Sequence, residues 1–526
     1  MKLNFKLGGV LAAALMAGTM LSGAASAQTL TMGLRAGPDS IDPHWSTLGS
    51  QAEALRHIFD TLVMADENLQ LKPGLATSWK PVDDTTWEFK IREGVKFHDG
   101  SELTAEDVKF SIDRIPVVTG PMSMTIYTKQ VKETKVVDKN TLHVITKAPA
   151  PTLPNDFVRL FVVSKSIGMD ARNEQFNSGK AAIGTGPYKF VSWEPKGDLV
   201  LERFDGYWGE KPHWQKVIRK EIPNDPARMA ALKSGQVDLV NYVPATDYAS
   251  MQKDKSVDTF VADTIYYFNL TPNVKETLPK PVKVDGKEIA ANPLRDPKVR
   301  EALDLAIDRK TLVRVVLEGL GKPANQLMPT NFFGGSKNLP ERPYNVAKAK
   351  ELLAAAGYPK GFEIDFFCTN NRLPGDGAVC EALSQMWARA GLKVNANALN
   401  GTVFFPAQQK GEFPLWMSGW GTLTGEASYT YGSLVHTADP KTGLGAFNKQ
   451  GYSNPEVDAL LEEGSRTMDD AKRRALFEKV TEVSMNDRAL IPTVQLQTVW
   501  AAKKGTMVIP PRVDQETLAY EIKPKS

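Results

Sequence analysis

Two cysteines in 526 residues, Cys368 and Cys380, are all the chain has. No C-x-x-C pair or Cys/His cluster follows from them, which removes the usual sequence signs of a zinc or thiol-redox site. The chain also lacks G-x-S-x-G, H-E-x-x-H and a phosphate-binding P-loop. Gly184–Thr185–Gly186 has no third glycine of a dinucleotide loop. The six histidines (His44, His57, His98, His143, His213, His436) are scattered without ligand-like spacing. His98 reads as part of a His98–Asp99–Gly100 turn. His44 reads as a ligand contact or metal ligand, or else as a solvated loop residue. No catalytic residue, metal site or cofactor is expected on these grounds, although a constellation assembled only in space leaves no such trace.

Net charge is scarce too. The formal +3 falls to +1 once Lys2 and Lys6 are set aside with the N-terminal segment, which holds no acids. A chain without a net basic field is a poor candidate for nucleic acid. Past the first 27 residues there is no second long apolar run, internal repeat or low-complexity segment. Lys2 and Lys6, the apolar stretch Leu7 to Leu21 and Ala25–Ser26–Ala27 read as a signal peptide cleaved after Ala27. No cysteine follows the apolar stretch to carry a lipid. The expectation is an exported, periplasmic protein starting at Gln28. Export permits a disulfide between Cys368 and Cys380, the alternative being two buried thiols.

What is present is organised around residues 361–426. GFEIDFFC (361–368) is a strand, VCEALSQMWARA (379–390) has a helical apolar stripe ended by Gly391, and LKVNANAL (392–399) and PLWMSGW (414–420) are further strands. A strand–helix–strand unit of this length implies parallel strands, with ligands beyond their carboxyl ends. Arg372 and Trp420 stand at two such ends. Elsewhere, Thr104 and Asp107 form a capping box before a helix at 107–114, and WEFKIR (87–92) alternates as a half-buried strand, so that Trp87, Phe89 and Ile91 read as core. Residues 51–63 read as one helix, and 297 to about 319 as one long helix begun by Asp296–Pro297. Residues 80–150 are α+β, 271–295 a boundary loop, and 275–490 a compact α/β lobe.

LKPGLATSWKPVDDTTWEFKIREGVKFHDGSELTAEDVKFSIDR (71–114), IGTGPYKFVSWEP (183–195), LERFDGYWGEKP (201–212), NPLRDPKVREALDLAIDRKTLV (292–313) and ERPYNVAKAKELLAAAGYP (341–359) resemble extracellular solute-binding protein family 5. That family comprises dipeptide, oligopeptide and nickel receptors of ABC importers. The resemblance implies an α/β, two-lobed periplasmic-binding-protein fold of type II, in the large cluster C form, with an extra α+β subdomain. Lobe I would be 28–270 with the subdomain at about 80–180, lobe II 271–495, and 496–526 the C-terminal return to lobe I. The crossing strands would be IYYFNL (265–270) and TVQLQTVW (493–500).

The implied function is capture of a peptide, opine-like conjugate or other polar metabolite. A hinged, monomeric receptor would deliver it to an inner-membrane permease with its ATPase subunits, and metal-chelate cargo stays open. In receptors of this kind an arginine after the first lobe II strand binds a ligand carboxylate, which points to Arg372. An aspartate three residues after the tryptophan of the later strand pairs with a peptide ammonium; here that place holds Leu423, with Glu426 the nearby carboxylate. Trp420 and Tyr429 would line the site, as would Asp42, His44 and Trp45 from a lobe I loop. Readings from other classes are an exported hydrolase of peptides or glycans, and a periplasmic chaperone.

Overall fold

The computed structural model describes residues 29–121, 123–370 and 372–525. The signal-peptide reading of residues 1–27 lies outside them. Among the described residues one thirteen-stranded mixed sheet passes through both lobes. Two long strands, Val257–Pro272 and Ile491–Lys503, lie side by side at its centre and pair antiparallel. Both are buried along much of their length, although each carries polar residues, among them Asp263 and Asn269 on the first and Gln495 and Gln497 on the second. The pairing is irregular between Asp263 and Tyr267, where Thr264 Oγ1 donates instead to the Leu496 carbonyl at 2.8 Å.

On one side, strand Thr29–Leu34 pairs parallel with Lys216–Glu221, and this half encloses a core running from Leu30 through Phe59, Phe161 and Leu201 to Trp500 and Ile522. On the other, Glu363–Thr369 pairs parallel with both Lys393–Leu399 and Leu415–Gly421. The core there runs from Phe268 to Leu496 and includes Trp387, whose indole N–H donates to the Leu303 carbonyl at 3.0 Å. A separate four-stranded antiparallel sheet, in the order Ala76–Asp83, Thr86–Ile91, Thr141–Thr146, Val131–Asp138, packs on helix Ala105–Arg114 around Phe89, Phe97 and Phe157. Trp87, Phe89 and Ile91 are buried in that core. Thr104 N and Oγ1 donate to the Asp107 carboxylate at 2.9 and 2.8 Å, which fixes the start of the helix.

Three local expectations are corrected. The helix at 51–63 spans only Gly49–Leu55, because Val63 begins a strand against Leu71–Pro73. The long helix from 297 stops at Leu305. Arg309 then folds back to pair with Asp304 at 2.5 Å and Asp308 caps a new turn at Arg309–Thr311. The boundary loop is partly ordered as a hairpin, Val282–Val284 with Lys287–Ile289. Gly184 and Gly186 serve packing: a Cβ on either would stand 1.9 and 2.6 Å from the Ile58 backbone.

Candidate functional site

The strand Glu363–Thr369 ends in a loop built by Asp376. Its buried carboxylate accepts from Thr369 Oγ1 at 2.6 Å and from the backbone N–H groups of Arg372 and Leu373 at 3.0 and 3.3 Å. Cys368 on the strand and Cys380 on helix Asp376–Arg389 are joined as a disulfide that closes the same loop. Arg372 is thereby aimed across the strand ends. Its Nη1 donates to the Gly419 carbonyl at 2.6 Å, and its guanidinium carbon lies 5.1 Å from the Phe405 ring centre. Burial pulls its pKa down, and the nearby Tyr266, Asp376 and Tyr429 oppose that pull. A guanidinium remains charged in either case.

Strand Leu415–Gly421 sorts its side chains by parity. Leu415 and Met417 enter the core, while Trp416, Ser418 and Trp420 face a pocket of about 90 Å³. Arg372, Gln408, Phe447 and Gln450 line it as well. Trp420 stacks on Tyr429 with ring centres 5.5 Å apart and meets Phe447 edge-on at 5.4 Å. Its indole N–H donates to Thr430 Oγ1 at 3.2 Å. Gln450 is 1 % exposed; its Nε2 donates to the Leu434 carbonyl at 2.8 Å, and its Oε1 has no hydrogen-bond partner among the described residues. The pocket therefore offers a cation, an unmet acceptor, a hydroxyl and an aromatic wall. That combination suits a polar ligand with an acidic end.

The pocket side of the second lobe meets the first lobe nearby. Asn155 Nδ2 donates to the Thr424 carbonyl at 3.1 Å. The Tyr429 phenol, pushed up to about 12 mainly by burial, feels Tyr127 and Arg159 of the first lobe as well as Tyr266 and Arg372. Arg159 is loosely paired with Glu516 at 3.7 Å, and Glu516 is also held by Arg56 at 2.9 Å.

The structure thus gathers Arg372, Trp420 and Tyr429. Glu426, Leu423, Asp42 and His44 are committed elsewhere. Glu426 is 1 % exposed and ion-paired with Arg473, which lies over the Phe333 ring at 4.5 Å, so its carboxylate is not open to a ligand ammonium. Leu423 is half-buried against the second lobe's core. Asp42 and His44 are both 1 % exposed and committed inside the first lobe. Arg114 grips Asp42 at 2.9 and 2.6 Å and donates to His44 Nδ1 at 2.9 Å; His44 Nε2 faces the Phe161 carbonyl at 2.9 Å. These partners fix the Nε2–H tautomer. Burial, with Arg114 adding to it, lowers the imidazole to about 4, so His44 is neutral at pH 7. Trp45 is half-buried beside them, its N–H donating to the Asp42 carbonyl at 3.2 Å. For Asp42, His44 and Glu426 the correction has one cause: polar groups that pack inward must be satisfied internally. Tyr127, Arg159, Tyr266 and Gln450 escaped the sequence reading, since they come from four separate segments with no shared spacing.

The family profile of the bacterial extracellular solute-binding proteins, family 5, matches residues 70–442, and the chain belongs to that family. It is 26 % identical over 506 residues to the glutathione-binding protein GsiB of Escherichia coli K12 and to that of Shigella boydii, covering 94 % of either chain in both cases. Among solved structures it resembles the periplasmic binding protein DppA of Helicobacter pylori, in complex with the peptide STSA. The two share 24 % identity at a TM-score of 0.74, with 95 % of this chain and 98 % of that one covered. HbpA2 of Haemophilus parasuis gives a TM-score of 0.80 at 23 % identity, covering 95 % of this chain and 100 % of that one. These structures share the two-lobed fold of periplasmic binding proteins. No helix among the described residues is long and apolar enough to cross a membrane.

Proposed function

We propose that this chain is the periplasmic receptor of an ABC importer for small peptides or peptide-like ligands bearing a free carboxylate, glutathione-like conjugates among them. The observation that carries the ligand class is Arg372, a cation held at the parallel strand ends and lining a pocket with Ser418, Trp420 and Gln450. The names of the GsiB relatives support the peptide reading. In this reading the chain binds and does not catalyse, works as a monomer, and is exported by a signal peptide cleaved after Ala27. Lobe I is 28–270 with the C-terminal return 496–526, and lobe II is 271–495. Ligand contacts from both lobes bias an open–closed equilibrium, and the closed form docks on the permease, whose ATPase subunits power transport.

Native mass spectrometry of the mature chain, purified from its exported compartment, tests this. A discrete added mass that resolves on denaturation to a carboxylate-bearing peptide or conjugate is the expected result. A bound neutral sugar, or turnover of added peptides, would overturn it.

A further inference from the structure

Asp156 closes the four-residue helix Leu153–Asp156 of the small α+β subdomain. Leu153, Pro154, Phe157 and Val158 are all buried, which leaves Asn155 and Asp156 on the side away from that core. Asn155 shows where this side faces, for its amide reaches the Thr424 carbonyl of the opposite lobe. Thr424 directly follows Leu423, so Asp156 stands one residue from a contact with the very loop that lacks a free carboxylate.

Other buried acids of the two lobes have a cation or hydrogen-bond donors beside them. Asp42 has Arg114, Glu426 has Arg473, and Glu516 has Arg56 and Arg159. Asp60 accepts from Thr185, Tyr207 and Trp208. The carboxylate of Asp156 takes part in no hydrogen bond or ion pair among the described residues, though it is only partly exposed. Arg159, one helical turn on, is turned to Glu516. Crowding around Asp156 pushes its pKa up to about 7, with Lys129 alone pulling it back. A carboxylate so placed gains most from a small cation brought to it.

We propose that Asp156 is a ligand-binding residue that accepts the primary ammonium of the ligand, from the lobe opposite to Arg372. The inference rests on the peptide-receptor reading above and adds the recognition of the ligand's positive end. A zwitterionic ligand then bridges the lobes, with its carboxylate on Arg372 and its ammonium on Asp156. Tyr127, whose phenol feels both Asp156 and Arg159, borders the ammonium's place, and Tyr429 borders it from the other lobe. Losing either end charge removes one lobe's contact and with it the drive to close.

Isothermal titration calorimetry on the mature chain tests this with defined probes. These are trialanine, N-acetyl-trialanine, N-acetyl-Lys-Ala-Ala, and S-methylglutathione with and without an N-acetyl group. Each is titrated into the wild type, Asp156→Asn and Asp156→Glu, with circular dichroism to establish folding. The wild type is expected to favour free-amine probes over their acetylated forms. Asp156→Asn is expected to abolish that preference by weakening the free-amine probes roughly 30-fold or more, the low end for unpairing a buried charge. Asp156→Glu should restore part of it. Equal weakening of acetyl-Lys-Ala-Ala would assign the site to a side-chain ammonium; no effect on it assigns the α-amine. A free-amine preference that persists unchanged in Asp156→Asn overturns the inference and leaves the peptide reading standing. Failure of the wild type to bind any probe overturns both.

Discussion

Arg114 and Asp42 meet through two hydrogen bonds, 2.9 and 2.6 Å, in the interior of the first lobe, with both side chains essentially without water contact. The pair ties the loop at 38–46 to the end of helix Ala105–Arg114, and so ties the small subdomain to the lobe that carries it. His44 and the Ala171 carbonyl accept from the same two terminal nitrogens at 2.9 and 3.0 Å, and Nε has no hydrogen-bond partner among the described residues. Removing one partner leaves the other charged and buried. Asp42→Ala is therefore expected to destabilise the fold by about 3–5 kcal/mol. Urea unfolding measures this, and a change below about 1 kcal/mol would show that the pair is dispensable.

Arg372 is placed differently. Its backbone loop is held by Asp376, and its side chain makes one hydrogen bond, to Gly419. Arg372→Ala is expected to cost little stability and to weaken carboxylate-bearing probes by about 2–5 kcal/mol. The check is calorimetry with trialanine and its C-terminal amide. The wild type should prefer the acid, and the variant should not distinguish the two. An undiminished preference in the variant would place the carboxylate elsewhere.

The disulfide between Cys368 and Cys380 closes a loop of sequence separation 12, and both residues are fully buried. In the chain-entropy account such a closure contributes about 3 kcal/mol. Paired Cys368→Ser and Cys380→Ser substitution should lower the unfolding midpoint accordingly. Because the loop carries Arg372, affinity for acidic probes should fall as well. Differential scanning calorimetry and titration on the same variant separate the two effects; an unchanged midpoint would refute the first.

Buried acids and buried histidines set opposing pH dependences, Asp60 and His44 among them. Burial raises Asp60 to about 7 despite its three hydrogen-bond donors. The folded state thus holds that proton more tightly than the unfolded chain, so this contribution is full below about pH 4 and is lost as pH rises through 7. His44, lowered to about 4, does the reverse: its contribution is present above pH 6.5 and is lost as pH falls towards 4. The windows overlap and mask each other in the wild type. Asp60→Asn should remove this group's share of the loss on raising pH, changing the difference in unfolding free energy between pH 4 and pH 7.5 by roughly 4 kcal/mol at about 1.4 kcal/mol per unit, while Glu53 and Asp156, also raised to about 7 by burial, keep theirs. Parallel pH profiles for variant and wild type would count against it.

The particular misreadings share a physical origin. Thr104 and Asp107, Asp296 before Pro297, and Gly391 after helix Asp376–Arg389 act on backbone groups within a few residues, so their effects were legible. The alternation in 87–91 was legible because period 2 maps directly onto the two faces of a strand. The breaks after Leu55 and Leu305 were not, since each is decided by a partner distant in the sequence or by a charge that folds back. Asp42, His44 and Glu426 looked like site residues by type and position. Only the arrival of Arg114 and Arg473 from other elements shows that their charges are already met.

The sequence by itself determined the family, the parallel strand–helix–strand unit, and the position of Arg372 and Trp420 at strand ends, because long motifs, periodicity and caps are local properties of the chain. Tertiary structure alone decided which charges remain for a ligand. Arg372 lines a pocket, Glu426 is ion-paired with Arg473, and the Asp156 carboxylate has no hydrogen bond or ion pair among the described residues. A charge is available or consumed according to what packs within a few ångströms of it, and those neighbours come from segments up to hundreds of residues away.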